Sequence, residues 1–336
     1  MTLWATLGRR LVTAVPILFV VSVLLFTALR VLPVDPAAMS MPPNATKEEI
    51  EGARRDMGLD RPLPEQYVLW LGRAMRGDFG RSIHHRRDAG ALVRETLPGT
   101  IELALAAMAV SSVLGLGGGL LLFGLRDRKM EPVAETVTTL MMSVPEFLWA
   151  LLFIFVFGVA LQAMPFTGRL DPGMKLPGIT GFLLLDAVLA RRLDILWSAL
   201  VHLVLPAVAL GLAFAPPIMR VLRASLIDTY HEDYIRQARL RGVSEGRILI
   251  RHALKNAVLP TLTLMGVQFG FLFGGSLLVE VIYSYPGMGN LMVDAVRNAD
   301  LPIIQVVGLT YCVVVLVINS LVDGLYLVFN PRLRAR

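Results

Sequence analysis

The chain has 336 residues, of which 55% are hydrophobic and only 17% are charged, whereas soluble domains carry about a quarter charged residues. This composition excludes an ordinary soluble protein, because the apolar residues are grouped in blocks long enough to cross a membrane. The net charge of +6 does not indicate a nucleic-acid partner, because the basic residues are scattered between the apolar blocks and form no basic-aromatic stripe.

Six runs of largely uncharged residues predict membrane-spanning helices, since about 20 helical residues cross the hydrocarbon core of a bilayer. The first run is long and lacks an A-x-A cleavage site, which favours a retained helix over a signal peptide. The second contains a glycine-rich stretch at 115–119, where a neighbouring helix could approach closely. The predicted spans are 11–29, 103–125, a run within 137–164, 195–219, 256–279 and 301–322.

The third and fourth of these spans are predicted to be kinked at their prolines. The prolines are Pro145, followed by Glu146, in the third span and Pro206, Pro216 and Pro217 in the fourth. Between these spans, an apolar patch at 179–185 is too short to cross a membrane and predicts a surface or re-entrant helix. The fold class predicted is an all-α polytopic membrane protein with about six transmembrane helices.

Arginine and lysine in the short connections predict the orientation in the membrane. These residues are frequent on the side of the N-terminus, above all in 220–255, and sparse in the short connections on the opposite side. The asymmetry predicts that the N-terminus and the C-terminus both lie in the cytoplasm. The long segment after the first span is balanced in charge and can cross the membrane regardless.

The spans divide the chain into three predicted parts. Residues 1–31 hold the first transmembrane helix, 32–98 a periplasmic cap segment, and 99–330 the transmembrane domain with a cytoplasmic loop at 220–258. In the cap segment, Thr46 with Glu49 three residues on is a capping-box pattern that predicts the start of a helix.

The cytoplasmic loop predicts two helices folded about a glycine. Arg239 and Arg241 lie in the last turn of the first helix, where the helix dipole favours cations, and Gly242 can adopt the left-handed conformation that ends a helix. Ser244 can cap a second helix with Glu245 in its first turn. We expect a rigid elbow; the alternative is two amphipathic helices lying on anionic lipid.

This elbow carries a resemblance to a known family. Residues 233–242 read DYIRQARLRG and residues 251–256 read RHALKN, and both resemble the EAA loop of ABC importer permeases in its peptide-transporter form. The sequences GDFGRS at 77–82 and YSYPGMG at 283–289 resemble the B-type permease subunit. The chain is thus similar over nearly its whole length to the permeases of the dipeptide, oligopeptide and nickel family.

The match to the general EAA pattern is partial. Aligned on Gly242, the chain agrees with the pattern at Ala238 and Leu254. It departs from the pattern at Arg236, Gln237, His252 and Lys255, as peptide and nickel permeases commonly do. The resemblance implies a type I ABC importer transmembrane fold and an ATPase-coupling role for the elbow. The implied coupling residues are Arg236, Gln237, Ala238, Gly242, Ser244, Glu245, His252 and Leu254.

The resemblance also implies partners and a substrate class. The partners are a second homologous permease, two ATPase subunits that bind ATP and Mg, a substrate-binding protein outside, and the lipid of a bacterial inner membrane. The expected cargo is di- or oligopeptides. Nickel or glutathione import stays open, as does a self-contained secondary transporter, although no internal repeat between the two halves supports the latter.

No arrangement of reactive residues indicates an enzyme, a cofactor or a metal site. The chain has no G-x-x-x-x-G-K-[ST] sequence, and its single cysteine, Cys312, excludes a Cys-x-x-Cys site. His231-Glu232 lacks the second histidine of a zinc-binding HExxH motif, because residue 235 is Ile. The remaining histidines fall on different faces of the membrane; they are His84, His85, His202 and His252.

Three polar residues in or at the end of the predicted spans are candidates for the translocation pathway, and for the two glutamates the reason is that burial of an ionisable group in a membrane is costly. They are Glu280, Gln268 and Glu146. For Glu280 the alternative is simple exposure to water at the end of the fifth span. For Glu146 the alternative is pairing with a neighbouring helix.

Overall fold

The computed structural model describes residues 3–31, 36–41, 45–56 and 58–329, and this part of the chain is helical without a β-sheet. The predicted all-α fold is confirmed, whereas the predicted cytoplasmic C-terminus, 330–336, lies outside the described residues. The α-helices of the described chain are α1 (Leu3–Val31), α2 (Pro36–Ser40), α3 (Lys47–Asp56), α4 (Leu63–Ala74), α5 (Ala89–Gly124), α6 (Glu131–Ser143), α7 (Glu146–Phe153), α8 (Leu183–Leu189), α9 (Leu193–Tyr230), α10 (Asp233–Leu240), α11 (Glu245–Arg247), α12 (Leu254–Ile282), α13 (Met288–Arg297) and α14 (Leu301–Phe329). Two π-helical segments, Ile154–Ala160 and Ile248–Ala253, extend α7 and α11.

The predicted membrane spans correspond to the long helices. Among the described residues, α1, α5, α9, the stretch from α11 through α12, and α14 are long and apolar enough to cross a membrane. The broken pair α6–α7 is the sixth candidate span. Helix α5 begins at Ala89, before the predicted span and before the boundary at residue 99, because the carboxylate of Asp88 accepts a hydrogen bond from the Ala91 N–H (2.6 Å) and caps the helix.

The third span is broken, and the fourth is not. The axes of α6 and of α7 with its π-helical extension differ by 95° across the break at Val144 and Pro145. Val144 is extended, as expected of a residue before proline, and the helix restarts after Pro145. In α9, by contrast, 38 residues form one continuous helix that contains all three of its prolines.

Glycines let α5 and α9 pack closely at the centre of the fold. A β-carbon on Gly115 would lie 2.5 Å from the side chain of Ile218, and one on Gly119 would lie 3.0 Å from Leu222. Close approach of a neighbouring helix to the 115–119 stretch is thereby confirmed. Buried side chains of α5, α9, α12, α13 and α14 form the main apolar core around this contact.

The cap segment contains the predicted capping box. The N–H and hydroxyl of Thr46 donate to the Glu49 carboxylate (2.7 and 3.0 Å), and the Glu49 N–H donates to the Thr46 hydroxyl (3.3 Å). These bonds hold the pKa of Glu49 below its usual value. The GDFGRS sequence then fastens the cap segment to the start of α14, because the Ser82 hydroxyl donates to the Asp300 carboxylate (2.5 Å).

The apolar patch at 179–185 does not form one helix, which corrects that prediction. Helix α8 begins only at Leu183, because the carboxylate of Asp186 holds the preceding turn by accepting hydrogen bonds from the N–H groups of Ile179, Thr180 and Gly181. Burial acts to raise the pKa of Asp186, but the hydrogen bonds from Thr180 and its neighbours outweigh it and lower that pKa.

Candidate functional site

The predicted elbow is formed by α10, the turn at 241–244, α11 and the π-helical segment Ile248–Ala253 that leads into α12. Gly242 has φ +75°, the left-handed conformation that the sequence predicts for it. The Val243 N–H donates to the Ala238 carbonyl (3.2 Å) and the Gly242 N–H to the Arg239 carbonyl (2.9 Å), which is the hydrogen-bond pattern of a Schellman cap. The turn therefore ends α10 sharply and fixes the direction of the chain that follows.

The second helix of the elbow starts at Glu245, as predicted, but without the predicted side-chain cap. Ser244 occupies the N-cap position, yet its hydroxyl makes no capping hydrogen bond. The Glu245 carboxylate instead accepts from Arg239 Nε (2.6 Å) across the turn. Both side chains of this ion pair are exposed, so it contributes less than about 1 kcal/mol to stability.

A separate apolar cluster anchors the elbow to the ends of the long helices. Ile235, Ala238 and Ile248 of the elbow are buried against Leu222 and Leu226 of α9. At its edge, the Phe123 ring of α5 lies 4.7 Å from that of Tyr230, between centroids. The Arg126 guanidinium lies 3.8 Å from the Phe123 ring centroid. The elbow is thus packed on α5 and α9 as a unit and is not a solvated loop.

Most of the predicted coupling residues lie on the outer surface of this unit. Arg236, Gln237, Gly242, Ser244 and Glu245 are exposed, His252 and Leu254 are half-buried, and Ala238 is buried. The elbow also exposes Leu240 (82%) and Ile250 (70%), two large apolar side chains that the sequence-based prediction did not single out. The signal was available in α10, where Leu240 falls outside the apolar face formed by Ile235 and Ala238.

The lipid-surface alternative for the elbow is disfavoured by the same burial. An amphipathic helix binds a bilayer through its apolar face. In α10 that face, formed by Ile235 and Ala238, is already covered by the chain itself. The rest of the surface of α10 is exposed and carries Arg236 and Arg239 together with the aliphatic side chain of Leu240.

At the opposite end of the long helices, Glu280 is the centre of a buried polar group that we call the clasp. Its carboxylate accepts hydrogen bonds from four donors and is 0% exposed. The donors are the Thr100 hydroxyl (2.7 Å), the Ser276 hydroxyl (3.2 Å), the Gly289 N–H (2.7 Å) and the Asn290 N–H (3.2 Å). The clasp therefore joins α5, α12 and the first turn of α13.

The YSYPGMG sequence is explained by the clasp. A β-carbon on Gly287 would collide with the Glu280 carboxylate, and one on Gly289 would lie 2.5 Å from the Leu277 Cα. Only glycine at both positions lets the backbone approach the carboxylate closely enough to donate. Beside the clasp, Arg169 and Glu102 form an ion pair that is largely buried, and the Glu102 carboxylate also accepts from the Leu184 N–H (2.9 Å).

The three pathway candidates have different surroundings. The water-exposed alternative for Glu280 is wrong, because its side chain is enclosed by the clasp. Gln268 of α12 is buried, and its Oε1 has no hydrogen-bond partner among the described residues. Glu146 is half-buried at the start of α7 and faces Gly275 of α12. A pathway role for the three stays a prediction.

Two of the histidines, adjacent in sequence, lie together with an aspartate. His84, His85 and Asp294 place possible ligand atoms within 4.8 Å of one another, with His85 Nε2 3.1 Å from an Asp294 oxygen. His202 lies elsewhere, buried on α9 with its Nδ1 against the Ser198 carbonyl (2.8 Å). The expectation that the chain binds no metal therefore stays a prediction.

Comparisons with known proteins match the whole chain. A model of the N-terminal part of binding-protein-dependent transport system membrane components matches residues 3–104, and the model of binding-protein-dependent transport system inner membrane components matches residues 111–335. The di/tripeptide transport system permease protein DppB of Pseudomonas aeruginosa is 35% identical over 98% of each chain. The glutathione transport system permease protein GsiC of Escherichia coli K12 is 36% identical over 97% of each chain.

A solved structure shares the fold. A chain of the methionine ABC transporter MetNI in an inward-facing conformation superposes with a TM-score of 0.52 at 16% identity, covering 71% of this chain and 96% of that one. At this identity the likeness supports the helical arrangement alone.

Proposed function

Because the chain belongs to the family of binding-protein-dependent transport system inner membrane components, we propose that it carries small peptides across the bacterial inner membrane as one permease subunit of an ABC importer. A chain of this family is a transporter subunit and not an enzyme. The observation that carries the peptide assignment is the alignment, over nearly the whole length, with permeases for di/tripeptides and for glutathione, which is itself a tripeptide.

The elbow is the proposed contact with an ATPase subunit. Its exposed surface combines Leu240 and Ile250 with the charged groups of Arg236 and Glu245, as expected of a surface that docks in a groove of another protein. Since the elbow is packed on α5 and α9, closure of the ATPase would move these helices as rigid bodies. ATP and Mg would bind to the ATPase partners.

The remaining features of the importer follow from the same proposal. Both termini lie in the cytoplasm, a second homologous permease completes the pathway, and a substrate-binding protein docks at the end of the molecule that carries the cap segment. Coupling between the two ends is reciprocal: if ATP favours the outward-open state, docking of the loaded binding protein favours closure of the nucleotide sites.

The experiment that tests this proposal uses substitutions at Gly242. The space around this residue is open, since a β-carbon there would meet nothing within 4 Å. Asp and Asn are nearly isosteric and tolerate the left-handed conformation similarly, so they differ mainly in charge. In cells lacking peptide importers, we expect the wild type and Gly242→Asn to support uptake of a labelled dipeptide, and Gly242→Asp to reduce it by about tenfold or more.

The readouts separate coupling from assembly. Membrane extracts should contain equal amounts of the wild-type permease, Gly242→Asn and Gly242→Asp. ATPase subunits identified by mass spectrometry should co-purify with the wild type and be depleted from Gly242→Asp. Normal uptake by Gly242→Asp would contradict the coupling role of the elbow. Uptake of nickel but of no peptide by the wild type would contradict the substrate assignment.

A further inference from the structure

The cap segment encloses a basic cavity of about 610 Å³ beside the start of α14. Four arginines line it: Arg30 at the end of α1, Arg73 on α4, and Arg81 and Arg86 in the loop before α5. One acidic residue, Asp78, also lines the cavity, but its Oδ1 accepts a hydrogen bond from the Gly80 N–H (3.0 Å). Among the residues that the structure describes, these arginines form no ion pair. The cavity wall therefore carries an excess of positive charge.

Arg30 lacks an acceptor most clearly. Its guanidinium lies 5.2 Å from the Phe26 ring centroid, and its Nε is buried without a hydrogen-bond partner in the described chain. Arg73 lines the same cavity, and its positive charge repels that of Arg30. Two guanidinium groups facing one space are the arrangement that binds a phosphate or carboxylate, because each can donate two parallel hydrogen bonds to it.

The depth of the cavity along α1 indicates which anion fits. Helix α4 packs against α1 through Tyr67, whose hydroxyl lies 2.8 Å from the Ser22 hydroxyl and whose ring contacts Phe19 and Phe26. Ser22 lies about 14 Å before the end of α1, at 1.5 Å per helical residue. Ser22 is near the middle of the candidate span Val12–Val31, so α4 lies alongside the membrane-spanning part of α1, and Arg30, at the end of that span, lies at the level of the bilayer surface.

Both helices expose large apolar side chains. Val68 of α4 and Met75, which follows α4, are 66% and 76% exposed, and Leu24 and Val31 of α1 are 63% and 76% exposed. Such side chains at the membrane surface are covered by acyl chains. A ligand that joins an acidic head to apolar tails would satisfy the arginines and these side chains at once.

We propose that this cavity binds the phosphate headgroup of an anionic phospholipid, with Arg30 and Arg73 as its ligands and the acyl chains lying over α1 and α4. The lipid would hold the cap segment against the transmembrane helices, since its ligands come from both. This role is independent of the transported substrate.

The test measures lipid retained by the importer complex purified in mild detergent. Native mass spectrometry should detect phosphatidylglycerol on the wild type, and the double variant R30Q/R73Q should retain at least about tenfold less, because charge-assisted hydrogen bonds are lost. R76Q is the matched control: Arg76 is exposed just after α4 and does not line the cavity, so it should retain lipid like the wild type.

Each other result overturns the proposal. Absence of phosphatidylglycerol from the intact wild-type complex, or equal retention by R30Q/R73Q, would do so. If inorganic phosphate raises the melting temperature of the wild type but not of R73Q, and no lipid is retained, the site serves a small anion. If a photo-cross-linker at residue 73 captures another protein subunit and no lipid, the arginines pair with acidic side chains. Should R30Q fail to fold, R73Q alone must still lower retention, because Arg73 is exposed and its loss spares the core.

Discussion

At the scale of single residues, the clasp decides how the cap end of the molecule is held. A carboxylate enclosed by protein is costly unless hydrogen bonds replace its water. Glu280 has four donors, and Thr100 also accepts from the Met288 N–H (2.8 Å), so this one hydroxyl connects two partners. Loss of a single donor would leave charge uncompensated in a buried site.

We therefore expect Thr100→Val, which is nearly isosteric, to lower the free energy of unfolding by about 2–3 kcal/mol. Thermal unfolding of the purified complex measures this change. Thr136→Val is the control, since that hydroxyl is exposed and bonds only the Pro132 carbonyl of its own helix; it should change stability by less than about 0.5 kcal/mol. Equal melting temperatures for the two variants would show that the clasp does not contribute.

At the scale of helices, the contact of α5 with α9 depends on which glycines face it. Gly115 and Gly119 face α9, whereas a β-carbon on Gly117 would meet nothing within 4 Å. The sequence alone marks the whole 115–119 stretch as suited to close packing. It does not tell which of these glycines is in contact, because that depends on the rotation of α5 relative to α9.

Gly115→Ala should destabilise the protein by about 1–3 kcal/mol, because the new methyl group overlaps Ile218. Gly117→Ala should be neutral or stabilising by up to about 1 kcal/mol, since alanine favours a helix more than glycine does. The comparison requires only the unfolding temperatures of the two variants. A destabilised Gly117→Ala beside an unaffected Gly115→Ala would place α9 on the other face of α5.

The helices were predictable where apolar length decides and unpredictable where a polar contact decides. The spans follow from runs of apolar residues, and the left-handed Gly242 follows from local turn chemistry. The early start of α5 depends on Asp88, and the late start of α8 depends on Asp186. The enclosure of Glu280 could not be foreseen, because its donor Thr100 is 180 residues away in sequence.

At the scale of the whole molecule, α5 connects the elbow with the clasp, and α9 packs along it. α5 has 36 residues and α9 has 38, so each is about 55 Å long, well beyond the thickness of the hydrocarbon core. Near one end, α5 carries Thr100 of the clasp, and at the other end Phe123 packs against the elbow. Under the proposed coupling role, a displacement of the elbow would be passed along α5 as a rigid rod to the cap end.

The orientation of this rod is testable with single cysteines in a Cys312→Ser background. A cysteine at exposed Arg86 should react with a membrane-impermeant maleimide on intact spheroplasts, and one at exposed Arg241 should react only after the membrane is opened. This expectation follows from the excess of basic residues on the side of the N-terminus. The reverse labelling pattern would show that the chain has the opposite orientation in the membrane.

The right-angled break between α6 and α7 has a consequence for the hydration of the molecule. Ends of helices leave carbonyl and N–H groups without intrahelical partners, and hydrocarbon does not tolerate them. At this break the Ser143 hydroxyl donates to the Thr139 carbonyl (2.8 Å), one turn earlier in the same helix, and so does not pair the last carbonyls of α6. These carbonyls need water or a second protein chain. The side of the molecule at Val144 and Pro145 is therefore hydrated or covered by protein, and the lipid-facing surface of the transporter lies elsewhere.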